Sequence, residues 1–333
     1  MLLLKWHSAF LLKTTIMKKT ILLAGFLALG WLTFSSYKDS PTRPDQLSGT
    51  ISISGAFALY PITVKWAEEF KKLHPDVKID ISAGGAGKGI TDVLSNITDI
   101  GLVSRNLTPE ESKKGANPFA VTKDAVVPVV SANNPFLKDL LAHGIKKSAL
   151  NDIFITGNAR VWAQAGEKSN APIHVYTRSD AAGAAETWAN YFGKKQDDLQ
   201  GVAVYGDPGL AQAVKKDPVG IGFNNIVYVY DQNTKQATNG VVPLPIDLNN
   251  NGKIDPDENF YGTIDQIVAA ITSGKYPSPP ARDLYFVTKG APKTEAVKEF
   301  IRYVLTDGQK FIPEQGYITL SPAKITAGLN KLK

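Results

Sequence analysis

The chain has 333 residues, 43% hydrophobic and 20% charged, with a formal net charge of +6 and no cysteine. That length allows two domains, the composition is that of a globular chain, and the missing cysteine excludes disulfides and a lipid-modified cysteine. Nucleic acid is not favoured as a partner. Lys5, Lys13, Lys18 and Lys19 lie within residues 1–36, which carry no acid, and the rest holds 33 basic against 31 acidic residues.

From Met17, MKKTILLAGFLALGWLTFSSYKDS puts two lysines before an apolar run from Ile21 to Phe34 and then small polar residues. This is the layout of a secretory signal peptide, with Thr33 and Ser35 as the small residues before a cut. Residues 1–16 read as an upstream extension. An uncleaved N-terminal anchor over residues 1–36 is the competing reading. Either way the expected location is the periplasm or another compartment outside the cytoplasm.

Pro41, Pro44 and the polar residues from Lys38 to Ser48 read as a linker. GTISISG then alternates apolar positions as a strand. Ile62, Trp66, Phe70 and Leu73 recur at helical spacing until His74-Pro75 stops the helix. Val77, Ile79 and Ile81 mark a second strand, Ile90, Val93, Leu94 and Ile97 a second helix, and DIGLVS a third strand. TPEE predicts Thr108 as N-cap, Pro109 as first helical residue and Glu111 as the acid of a capping box. SALNDIFIT follows as a short helix, IHVYT as a strand, Gly183 to Phe192 as a helix, GVAVYG as a strand and PGLAQAVKK as a helix opened by Pro208. VGIGF and VVPLPID are further strands, GTIDQIVAAITSG is a helix closed by Gly274, and DLYFVTKG is a strand. The last long helical pattern is EAVKEFIRYVLTDGQKFIPEQG, with Val297, Phe300, Ile301 and Val304 on one face. This alternation predicts an α/β fold on a parallel sheet.

Such sheets place ligands where strands end and helices begin. Three junctions share one chemistry: SGAFALYP from Ser54, SAGGAGKGI from Ser82 and RSDAAGAAET from Arg178. Their small residues admit close approach of backbone amides to a ligand, and each helix start adds partial positive charge. GGAGKG is not a P-loop, because Gly89 and Ile90 follow the lysine, and Lys88 reads as solvated. Arg178 ends a strand two residues before Asp180, where a carboxylate holds a guanidinium fork in position. A purely structural ion pair is the alternative.

Taken in order, SGAFALYP, GGAGKGI, DIGLVSR, RSDAAGAAE and LYFVTKG resemble the phosphate-binding proteins of bacterial high-affinity phosphate ABC transporters, from Ser54 to the C-terminus. The resemblance implies a type II periplasmic binding protein fold: two α/β lobes, two crossovers, and a ligand cleft that closes on its solute. Lobe I is then expected at 49–134 plus 281–333 and lobe II at 135–280. The implied ligand groups are the amides of Ala56, Phe57 and Ala58 and those of Gly85, Ala86 and Gly87. Ser104 falls where some relatives use an acid to accept the ligand proton. Arg178 is implied as the ligand cation, Asp180 as its positioner, and Ala182, Gly183 and Ala184 as donors of helix-end amides.

Relatives commonly carry serine or threonine where this chain has Ala56, Phe57, Ala86, Ala182 and Ala184. Each lost hydroxyl removes a hydrogen bond worth about 0.5–1.5 kcal/mol. An anion site built on backbone amides is expected to survive that loss. The expected solute is phosphate or a similar oxyanion, with sulfate, molybdate or a small organic anion as alternatives, and the expected partner is an inner-membrane ABC permease served by a monomer. Phe57 favours a larger or less hydrated anion. A surface module that kept the fold and lost the solute is the reading outside that class.

A separate motif lies in IDLNNNGKIDPDENF. Counting from Asp247, acceptors fall at Asp247, Asn249, Asn251, Asp255 and Glu258, with Gly252 sixth, the Lys253 carbonyl seventh and Ile254 eighth. Residues 247–258 therefore match the calcium loop of EF-hands position by position; an Asn/Gly/Asp surface turn is the bland alternative. A Pro-bearing strand precedes the loop and a helix follows only near Thr263, so a structural calcium clip is expected rather than a sensor. The four histidines, His7, His74, His143 and His174, have neither a nucleophile arrangement nor zinc spacing around them, and catalysis is not expected.

Overall fold

The computed structural model describes residues 46–333 except Asn239. The signal peptide or anchor expected over residues 1–36 lies outside the described residues. Strand β1 (Gly49–Gly55) pairs in parallel with β2 (Val77–Ala83) and β3 (Ile100–Val103). Helices Tyr60–Leu73 and Ala86–Leu94 connect them and bury Ile62, Trp66, Phe70, Ile90 and Val93. Pro61 stands in the first turn of the earlier helix, where its missing N–H has no intrahelical partner to lose. The capping box forms after β3: the Glu111 amide donates to Thr108 Oγ1 at 3.2 Å and the Thr108 amide to Glu111 Oε2 at 2.8 Å.

The longest strand is one that pattern reading passes over. β4 (Ala116–Ser131) contains Pro118, Pro128 and the charged pair Lys123-Asp124, which hide its alternation. Its first half pairs antiparallel with β11 (Ala281–Lys289). Its second half pairs antiparallel with β8 (Gly220–Asn225) and with β9 (Val241–Pro243). The sheet continues in parallel from β8 to β6 (His174–Arg178) and from β6 to β7 (Val202–Val204). The order β2-β1-β3-β11-β4-β8-β6-β7 is thus parallel at both flanks and antiparallel at the centre, a correction to the expectation of a parallel sheet.

Two hydrophobic cores form on this sheet, one per lobe. One gathers residues between Ile51 and Val121 with residues between Leu284 and Leu332, including Trp66, Phe70, Phe286 and Phe300. The other gathers Ala125 to Ala281, joined by Ile318, and includes Phe154, Trp188, Phe223 and Tyr276. The chain crosses between the lobes in β4 and in β11. The first changeover between the cores falls between Val121 and Ala125, because one unbroken strand serves both. The second falls between Ala281 and Leu284.

Smaller differences have local causes. VVPLPID is two strands, β9 and β10 (Ile246–Asp247), because Pro243 and Pro245 interrupt the ladder. β10 pairs with β5 (Ile145–Lys146). The helix Glu295–Leu305 ends well before Gly316, and a further helix, Pro322–Asn330, follows it. Among the described residues no helix is long and apolar enough to cross a membrane.

Candidate ligand site in the interlobe cleft

Strand ends build the site. β1 stops at Gly55, whose φ of 136° and missing Cβ let it lie directly against the Leu102 backbone. The chain then enters the 3-10 turn Phe57–Leu59. β2 passes through Gly84 and Gly85 into helix Ala86–Leu94, and β3 ends at the buried Ser104. From lobe II, β6 ends at Arg178 and a short loop opens helix Gly183–Tyr191, while β7 leads into helix Gly206–Lys216.

The Arg178 side chain is 2% exposed. Its Nε donates to Asp180 Oδ1 at 2.9 Å, its Nη2 to Asp180 Oδ2 at 2.6 Å and its Nη1 to Asp207 Oδ2 at 2.6 Å. Asp180 Oδ1 also accepts from the Gly206 amide at 3.1 Å. Asp207 Oδ1 accepts from Asn225 Nδ2 at 2.6 Å, and Asn225 Oδ1 accepts from Arg282 Nη2. Arg282 in turn faces Asp124 at 3.8 Å. Burial works against the Arg178 charge, but Asp207 and Asp180 outweigh it and hold the group above its ordinary value. Burial pushes the Asp207 carboxyl upward in spite of Arg178. The two directions have different origins: the paired carboxylates favour the charged guanidinium, while loss of water disfavours the charged Asp207 carboxylate. The Phe57 ring covers the guanidinium, with its centroid 5.4 Å from Cζ, and meets Tyr205 edge-on at 5.8 Å.

The lobes touch at this point. The Gly87 amide donates to the Ala181 carbonyl at 2.8 Å, and the Tyr228 hydroxyl donates to the Phe57 carbonyl at 2.9 Å. A Cβ on Gly183 would collide with both Oγ and the carbonyl of Ser104. Four of the amides expected to ligate an anion are engaged within the protein. Ala56 donates to Leu102 at 2.9 Å, Gly85 to Gly55 at 3.1 Å, Gly87 to Ala181, and Ala182 to Gln196 Oε1 at 2.9 Å. The remaining five open helical segments and so have no intrahelical acceptor: Phe57 and Ala58 in the 3-10 turn, Ala86, and the Gly183 and Ala184 pair. Lys88 stands apart, 44% exposed and paired with Asp92.

Sequence reasoning missed three parts of this network. Asp207 lies in GDPG, a fourth strand-to-helix junction read only for its proline. Asn225 ends a wholly buried strand, where a polar residue is itself a signal. Asp124 and Arg282 are partners only through the register of β4 and β11, which no local pattern shows. Beside the 179–182 loop lies a cavity of about 430 Å³ whose lining includes Arg105, Glu186, Lys195 and Gln196.

The 247–258 loop folds around its own acceptors. Asp247 and Glu258 are 1% and 4% exposed. Asp247 accepts from the Asn251 amide at 3.2 Å and the Gly252 amide at 2.8 Å, and Glu258 Oε1 accepts from the Leu248 and Asn249 amides at 2.9 and 3.0 Å. Ile254 packs on Gly144, and its amide donates to the Ala142 carbonyl at 2.9 Å. Asp255 accepts from the side-chain amides of Asn249 and Asn251 and pairs with Lys253 at 2.8 Å. Among the described residues no three His, Cys, Asp or Glu side chains gather as a metal cluster. The fit of this loop to calcium rests instead on a mixed set of carboxylate, amide and carbonyl oxygens.

Comparison with known proteins gives the following. Residues 40–308 match the PBP superfamily domain. The chain is similar to the phosphate-binding protein PstS of Bacillus subtilis (strain 168), 28% identical with 89% of each chain covered. It is also 28% identical to the phosphate-binding protein PstS of Methanocaldococcus jannaschii, over 84% of this chain and 85% of the relative. Among solved structures, a putative phosphate ABC transporter substrate-binding protein with bound phosphate from Clostridium perfringens aligns with a TM-score of 0.67 at 24% identity. That alignment covers 82% of this chain and 100% of the other. An ABC-type phosphate transport receptor from Vibrio cholerae aligns with a TM-score of 0.60 at 22% identity, over 82% and 100%. These structural likenesses show the fold.

Proposed function

The chain belongs to the PBP superfamily, and from that premise we propose that it is an exported solute-binding protein that captures phosphate or a similar oxyanion for an ABC permease. Its work is capture, with no bond made or broken. The observation that carries the reading is a buried and fixed guanidinium at the seam between the lobes, with the Phe57 ring over it, Gly87 bonded to Ala181 and Gly183 against Ser104 beside it. The helix-opening amides of Phe57, Ala58, Ala86, Gly183 and Ala184 thus belong to the strand ends that form this seam. Titration calorimetry with phosphate, sulfate, molybdate and small carboxylates tests it. The best of these anions should lose about ten- to a hundred-fold in affinity in Arg178→Ala, since a charged hydrogen bond is worth about 1.5–3 kcal/mol. A folded Arg178→Ala that binds like wild type would place the solute elsewhere.

A small organic anion is the second reading. Phe57 brings an aromatic face to the guanidinium, and the 430 Å³ cavity beside Asp180 and Ala182 gives room for a larger body. The carboxylates in the same screen separate the two readings. Loop 247–258 is further proposed to bind calcium through Asp247, Asn249, Asn251, Asp255, Glu258 and the Lys253 carbonyl. In support, two nearly buried carboxylates face a loop whose single cation, Lys253, is spent on Asp255. The proposed role is structural, because the loop bonds within itself and to Ala142 and packs on Gly144, and among the described residues none of its hydrogen bonds goes to Arg178, Asp180 or Asp207.

A further inference from the structure

The groups around Arg178 do not balance in charge. Arg178 and Arg282 contribute two positive charges, while Asp124, Asp180 and Asp207 contribute three negative ones, all buried or nearly so and linked through Asn225. A closing cleft that brings in an anion adds negative charge to a network already in excess by one. Hydrogen bonding singles out where a compensating proton goes. Both oxygens of Asp180 and both of Asp207 accept from donors, and Asp124 Oδ1 accepts from the Ala125 amide at 2.7 Å. Asp124 Oδ2 alone of the six accepts no hydrogen bond, and Nε and Nη1 of Arg282 beside it donate none.

We infer that anion capture at Arg178 is proton-coupled: one proton enters on Asp124 Oδ2 as the anion enters the cleft. Asp124 and Arg282 thereby act as positioning and charge-setting residues from the crossover strands. This rests on the reading of the cleft as an anion site. Protonation makes the network neutral and frees the Arg282 charge, which reaches the cleft through Asn225 and Asp207. Burial, opposed by Arg282, raises Asp124 to about 7, so the exchange falls near neutral pH. The other groups facing this carboxyl do not compete for the proton there. Asp207, from helix Gly206–Lys216, has both oxygens occupied, as does Asp180. The phenols of Tyr228, Tyr276 and Tyr317 are all pushed upward by burial and stay neutral.

The test is calorimetry with inorganic phosphate from pH 6 to 9, in buffers of differing ionisation enthalpy, on wild type and Asp124→Asn. Wild type should take up close to one proton more than the variant above pH 7 and lose affinity about tenfold per pH unit relative to it, the slope of a one-proton linkage. The ionisation of phosphate itself is common to both proteins and cancels in the difference. Melting without ligand gives a second readout. A carboxyl raised in the folded state binds its proton more tightly there than in the unfolded chain. Stability should therefore fall as pH rises from the ordinary carboxylate range to about 7, and that slope should vanish in Asp124→Asn. Phosphate binding with equal proton uptake in both proteins overturns the coupling and leaves the capture reading intact. Absence of binding by any anion at every pH overturns both.

Discussion

Gly183 controls how closely the lobes meet, because a single added carbon would strike Oγ and the carbonyl of Ser104. Neither neighbour yields cheaply, one being backbone and the other buried. Overpacking of this kind costs about 1–3 kcal/mol, so Gly183→Ala should weaken anion binding by about five- to a hundred-fold. It should also leave the unliganded protein more open. Calorimetry and small-angle scattering check the two effects, and no change in either would show that the contact gives way. The same residues show what sequence alone conveys. Arg178 and Asp180 are legible because two positions separate them at a strand end. Asp207 reaches the same guanidinium from another element, with Asn225 bonded to Asp207 in turn, and only the folded sheet brings them there.

Elements whose instructions are local were the ones read correctly. The capping box at Thr108 forms from residues three apart, and the helix expected near Thr263 begins at Ile264. β4 was opaque because its stability comes from neighbours on both sides, which tolerate two prolines and a charged pair in its interior. The 247–258 loop lies between these cases: its acceptor spacing is local, while Ile254 is held by Gly144 and Ala142 from a different segment. Calcium should raise its stability by mass action, about 2.7 kcal/mol at one hundred times Kd. For a chain of this size that is a rise of roughly 4 °C in Tm. Glu258→Gln should remove most of the rise. Equal melting with calcium and with chelator would mark the loop as a turn and nothing more.

Across the whole molecule, residues 1–36 and the cleft make separate demands on the same product. N-terminal sequencing of exported protein should find a chain beginning near residues 36–40; full-length protein confined to the cytosol would contradict export. The shared strand has a further consequence, for the order in which the chain becomes protein. The core of lobe II is drawn, Ile318 apart, from the continuous stretch Ala125 to Ala281, so it is nearly complete before the chain ends. The core of lobe I is not, since Leu284, Phe286, Phe300 and Ile312 must return to residues that emerged first. Trp66 Nε1 waits for the Gly308 carbonyl, and the Ala58 carbonyl waits for the Tyr317 hydroxyl, at 2.8 and 2.7 Å. A chain threaded outward from its N-terminus would thus deliver half of the proposed anion cradle early, with apolar residues still uncovered. That half stays exposed to chaperones and proteases until the last strand and helix arrive to close it.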